Sequence, residues 1–159
     1  MAQKELKYLK TVYIAFCGSY NAAMQIKYTF LLIFLFVSAM TDVLTNKIKN
    51  IIILTGLIFG LVFFFSGDSV KGFLLTFLIF YPIYRIGWCG AGDVKLMMLA
   101  GFYLGIFELF SCTVTILALS MIFAAACALA EKRSVLEVEI PYAVPVFLGV
   151  ILHALESFS

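Results

Sequence analysis

The chain has 159 residues, 64% of them hydrophobic and only 13% charged, with a mean hydropathy of +1.11. A soluble domain carries about twice that charged fraction. The composition therefore excludes an ordinary soluble globule and points to one domain whose solvent is mostly lipid. A net charge of +2 without a basic run speaks against a nucleic-acid partner.

In lipid every backbone N–H and C=O must be satisfied internally, so spans are helices or closed barrels. The apolar runs here are continuous rather than alternating, which selects helices. The expected fold class is an all-α integral membrane protein, a bundle of about six transmembrane helices with an additional N-terminal helix left open.

Residues 1–27 form a lead-in. Lys4, Lys7 and Lys10 precede Thr11–Ile26, a stretch interrupted by Gly18, Ser19, Asn21 and Gln25. It reads as a weak seventh helix, an interfacial helix or a short disordered segment. A cleaved signal peptide fits poorly, because polar residues interrupt the apolar core. Met24 opens the more typical part of the chain, so the residues before it also read as an upstream extension.

The transmembrane domain is expected over residues 28–159. Its apolar stretches are Tyr28–Thr41, Ile51–Phe65, Gly72–Trp88, Leu96–Phe110, Cys112–Ala130 and Ile140–Leu155. Some fall short of the roughly 20 residues of an ideal span. Pro141 and Pro145 are expected to break or kink the last one. With six passes, the loops on one side carry Lys47, Lys49, Arg85, Lys95, Lys132 and Arg133, whereas those on the other carry Lys71; the lead-in adds Lys4, Lys7, Lys10 and Lys27 to the latter side, unless a helix at Thr11–Ile26 returns the first three. Basic residues in short loops mark the cytoplasmic side.

Two aspartates are placed unusually. Asp42 ends the first span and Asp93 immediately precedes the fourth, so both fall on the same membrane face. Ionisable groups at membrane depth are costly and mark functional sites by default. Two neighbouring carboxylates cannot both ionise easily and share one proton. The ionised member can deprotonate a water, and the protonated one can bond the scissile carbonyl and then supply the leaving amine with a proton. Taken singly, each acid also reads as a polar residue closing or capping a helix.

Gly90 and Gly92 stand just before Asp93 and permit unusual dihedrals or close approach of another segment. Lys95 is a third site-shaping candidate, able to tune the acid or to meet lipid phosphate; it also reads as a snorkelling interfacial lysine. Glu108 is expected to pair with Lys71 or to reach interfacial water, and His153 to be packed in the last span. Cys17, Cys89, Cys112 and Cys127 form no C-x-x-C pair and His153 is the sole histidine. Neither a metal site nor a cofactor is expected.

The string Gly90–Leu96, GAGDVKL, resembles the G-x-G-D signature of the type IV prepilin peptidases, a family of aspartic membrane proteases. Asp42–Asn50, DVLTNKIKN, is similar to the family's first motif, an aspartate followed by a basic stretch and I-P-N. Ile140–Gly149, IPYAVPVFLG, resembles its Pro-containing last span. The three occur in the family's order, and the small size resembles the short form of tight-adherence (Flp-type) pilus systems. Lys49 stands where the family usually has proline. The paired-cysteine methyltransferase domain of larger relatives has no counterpart here, so leader cleavage alone is implied.

The resemblance implies that Asp42 and Asp93 are the catalytic pair of a peptidase in the cytoplasmic (inner) membrane, active site toward the cytoplasm. The implied partners are prepilins or pseudopilins, the lipid bilayer and pilus assembly machinery; no residue reading the leader is identified. An alternative of another class stays open: a non-catalytic transporter or assembly subunit binding protons or cations at Asp42 and Asp93.

Overall fold

The computed structural model describes residues 2–45, 48–87, 89–131 and 141–158, with side chains from residue 23 onward except 130, 131 and 158. Lys47, Trp88, Lys132, Arg133 and Ile140, and the side chains of Lys4, Lys7, Lys10 and Cys17, lie outside the described residues. Among the described residues the chain is all-helical: α1 (Ala2–Thr45), α2 (Asn50–Phe63), α3 (Gly67–Ile86), α4 (Ala91–Glu131) and α5 (Ala143–Phe158).

Helix α1 continues without a break from Ala2 to Thr45, and its stretch Ala23–Thr45 is long and apolar enough to cross a membrane. Among its described side chains, Tyr28, Leu31, Leu35, Ser38, Ala39 and Asp42 are buried. That spacing of three and four draws one stripe along a 3.6-residue helix. The opposite face exposes Ile33, Phe36, Val37, Met40 and Leu44, which suits lipid rather than water. Asp42 thus belongs to the face that packs inward.

Helix α3 starts after a connection of three residues, 64–66, from the end of α2. Its N-cap is Ser66, whose hydroxyl accepts from the Ser69 N–H at 3.1 Å. It ends at Gly87, whose φ of 87° is a left-handed conformation suited to glycine. Against it packs α4 at very short range. A Cβ on Gly72 would meet the Gly101 carbonyl oxygen and lie 2.9 Å from Gly105 Cα, so the two backbones touch where only glycine fits.

Gly67–Ile86 and Ala91–Leu129 are the other two stretches long and apolar enough to cross a membrane. At 1.5 Å per residue, the 39 residues of the latter would reach about 58 Å, nearly twice the hydrocarbon core. The helix resolves this by breaking at Gly105, whose φ of 77° and ψ of −174° are non-helical. Contacts on either side show the chain turning back there. Residues 91–104 run antiparallel to α3, bringing Gly101 to Thr76 and Gly105 to Asp68. Residues 106–131 run antiparallel to α5, bringing Glu108 to His153 and Ile116 to Gly149.

These data refine the expected spans. The turn between the fourth and fifth stretches comes at Gly105, not near Ser111, because the positive-φ glycine and not the polar serine reverses the chain. Helices α2 and α5, at 14 and 16 residues, are shorter than a full span. The prolines do not kink α5. Pro141 precedes it and Pro145 lies in its first turn, where a missing N–H costs no helical bond. The proline inside a helix is Pro82, in α3.

Glu108 is not paired with Lys71. Its carboxylate lies 3.4 Å from His153 Nε2, while the Tyr28 hydroxyl sits 3.0 Å from His153 Nδ1. This cluster ties α1, the second limb of α4 and α5 together at the end of the bundle opposite Asp42. There the buried Tyr28 and His153 and the half-buried Glu108, from three helices, satisfy one another.

Candidate active site

Asp42 approaches the site from the end of α1 and is 6% exposed. Its Oδ2 accepts from the backbone N–H of Ala143, the first residue of α5, at 3.1 Å. Asp93 approaches from the first turn of α4. Its Oδ2 accepts from the Gly90 N–H at 2.9 Å, reaching back over the turn as the third-position acid of a capping box does. Each carboxylate therefore sits at a helix N-terminus, where unpaired N–H groups and the helix dipole favour an anion.

Both acids do cap helices, as the plainer reading of each had it. Asp42 is bonded across to α5, Asp93 closes its own helix, and the two lie within electrostatic reach of each other. Chain segments some fifty residues apart thus meet at one end of the bundle.

The glycines before Asp93 act through space. Positive φ occurs at Gly87 and Gly105 among the described residues, not at Gly90 or Gly92. A Cβ on Gly90 would crowd Asp93 Oδ2 at 3.1 Å, and one on Gly92 would press Ile48 at 3.2 Å. Gly92 so lets the segment entering α2 lie against the first turn of α4. Lys95 turns away from Asp93, since positions two apart on a helix do not share a face. Its Nζ donates to Asn50 Oδ1 at 2.9 Å.

Two further residues border Asp93. Cys89 is a free, partly buried thiol, pushed up from its usual range first by burial and then by the Asp93 charge. Tyr142, next to the residue that holds Asp42, lies within electrostatic reach of Asp93 and Cys89, with Ser120 also nearby. Burial first, then the neighbouring Asp93 carboxylate, push its phenol above the ordinary tyrosine range. Sequence reasoning placed Tyr142 only within a Pro-containing stretch. A clue was its position between two prolines at the mouth of a span, where its side chain faces the incoming acids.

The Cys89 environment makes a chemical prediction. Thiolate, not thiol, attacks alkylating reagents. A raised pKa leaves little thiolate near pH 8, so Cys89 should alkylate slowly in the folded protein. Asp93→Asn removes one of the two causes and should speed the reaction several-fold, read by peptide mass spectrometry. An unchanged rate would show that Asp93 and Cys89 do not interact.

No group of three or more histidine, cysteine or acidic side chains that could hold a metal ion occurs among the described residues. The available chemistry is that of paired carboxylates bordered by a phenol and a thiol. Residues 29–129 match a family described as the type IV leader peptidase family, a span that takes in Asp42, Asp93 and the glycine-rich turn between α3 and α4. No curated protein and no solved structure matches the chain.

Proposed function

The chain belongs to the type IV leader peptidase family, and on that premise we propose that it is a membrane aspartic endopeptidase that removes the leader of prepilins at the cytoplasmic face. Asp42 and Asp93 are the catalytic pair in this reading. The observation that carries it is the meeting of the two carboxylates at the N-termini of α5 and α4.

The chemistry follows from shared protonation. Two adjacent carboxylates hold one proton between them, and their titration belongs to the pair. The ionised member takes a proton from a water lodged between them. The protonated member bonds the scissile carbonyl, which the attacking water converts to a tetrahedral intermediate. That member then donates its proton to the leaving amine, and the pair is restored. No metal or covalent intermediate enters these steps.

The substrate in this reading has a short basic leader, usually ending in glycine, followed by an apolar helix in the bilayer. The chain would cross the membrane six times, counting the two limbs of α4 separately, with residues 1–27 as a lead-in to a transmembrane domain over 28–159. Lys49, Arg85 and Lys95 lie at the Asp42 end of the bundle and Lys27 and Lys71 near the other, an excess that supports placing the site toward the cytoplasm. Co-expression with candidate prepilins tests the proposal. A new pilin N-terminus found by mass spectrometry supports it, and unprocessed precursor for every candidate in a correctly inserted protein counts against it.

A further inference from the structure

Between α2, α3 and the first limb of α4 lies an open cavity of about 500 Å³. Ile53, Leu57, Phe73 and Leu99 form its apolar walls, and Asn50 and Lys95 close one end. That end is the one carrying Asp93, but the cavity lies on the other side of α4's first turn. Lys95 makes no salt bridge with any described carboxylate; its partner is the neutral Asn50 amide. Because Asn50 accepts from Lys95 through Oδ1, its NH2 group keeps its donors for another acceptor. Helix α2 also begins there with no side-chain cap and no acid in its first turn. The Ile52 N–H bonds the Lys49 carbonyl at 3.1 Å; the N–H groups ahead of it and the positive dipole end are left to whatever lies outside.

We propose that this cavity is a binding site for one anionic phospholipid of the same leaflet. Its acyl chain lies along the apolar walls, and its phosphate is held by Lys95, Asn50 and the start of α2. Size argues against a helix as occupant. At a diameter of about 10–12 Å and a pitch of 5.4 Å, the cavity volume corresponds to roughly one helical turn. Acyl carbon gains little from leaving bulk lipid, which is as apolar as leucine. Selectivity must therefore come from the headgroup, and the groups at the mouth are all positive or hydrogen-bond donors.

The test uses the full chain in nanodiscs of phosphatidylcholine and phosphatidylglycerol, with native mass spectrometry of the lipid retained on release. Wild type should retain one phosphatidylglycerol in preference to phosphatidylcholine. Lys95→Gln should lose about fivefold of that preference, the factor one interfacial lysine supplies. Leu57→Trp, which fills the cavity while keeping the lysine, should lose the retained lipid. Lys49→Gln, an exposed lysine outside the cavity, should keep the preference. Circular dichroism checks that each variant remains helical. Equal retention of both lipids, or equal losses in Lys49→Gln and Lys95→Gln, would overturn the proposal. So would photo-crosslinking from position 54 that captures only an added pilin precursor or a second copy of the chain. None of these readouts depends on peptidase activity, so they fail or succeed separately from the assignment of Asp42 and Asp93.

Discussion

Asp93→Asn should abolish leader cleavage while leaving the helices in place. The asparagine carbonyl can still accept from the Gly90 N–H, so the turn before α4 keeps its closure. Asp42→Asn likewise keeps an acceptor for the Ala143 N–H and hence the α1–α5 contact. What each variant loses is a carboxylate able to take or share a proton. General acid–base chemistry of this kind contributes typically 10²–10⁴-fold, so each single variant should fall by about 10³-fold or more. Groups that act as one unit are strongly non-additive, and the double variant should be no worse than either single. Alanine replacements are the less clean experiment. Asp42→Ala also strands the Ala143 N–H, at a cost of about 1 kcal/mol for a lost cap. Cleavage of a co-expressed prepilin, normalised to inserted protein, measures all of these. Residual activity within tenfold of wild type in the Asn variants would remove the catalytic assignment.

The largest expected effect on folding is at Gly72. A side chain there meets backbone, namely the Gly101 carbonyl and Gly105, and backbone cannot rotate aside. Gly72→Val must push α3 away from α4, and overpacking of this kind should cost about 3 kcal/mol. Because Asp93 sits at the start of α4 and the chain reaches it through α3, cleavage should fall as well. Gly67→Ala supplies the contrast. Nothing lies within 4 Å of a Cβ at that position, and the residue opens a helix, so stability should stay level or rise slightly. Denaturant titration of the purified protein in mixed micelles distinguishes the two. Comparable stability for Gly72→Val and wild type would mean that the α3–α4 contact is looser than described.

Much of the architecture is legible in the chain itself, and the reasons are local. The inward stripe of α1 recurs every three or four residues and ends on Asp42, so a carboxylate on the packed face can be read from spacing. The glycine pair before Asp93 marks a close approach, although which segment approaches, Ile48, is a tertiary fact. The break in α4 is harder to place. Residues 96–107 carry no charged side chain on either side of Gly105, and in lipid a reversal needs no run of polar residues when one glycine can adopt a positive φ. Glu108 found its partner in His153, not in Lys71, because the turn at Gly105 sends the second limb toward α5. Tyr142 escaped notice for a related reason. Its neighbours, Asp93, Cys89 and Ser120, come from both limbs of α4 and the turn before it, and no sequence spacing connects them.

Cross-linking in native membranes tests most directly whether the two acids share one site. The double variant Asp42→Cys/Asp93→Cys, in a background where Cys17, Cys89, Cys112 and Cys127 are replaced by serine or alanine, would be treated with a short bis-thiol reagent. Proteolysis should then release fragments from the end of α1 and the start of α4 joined to each other. Two thiols that are both labelled yet never joined, in a chain shown to be inserted, would place the acids apart and contradict the paired-carboxylate account.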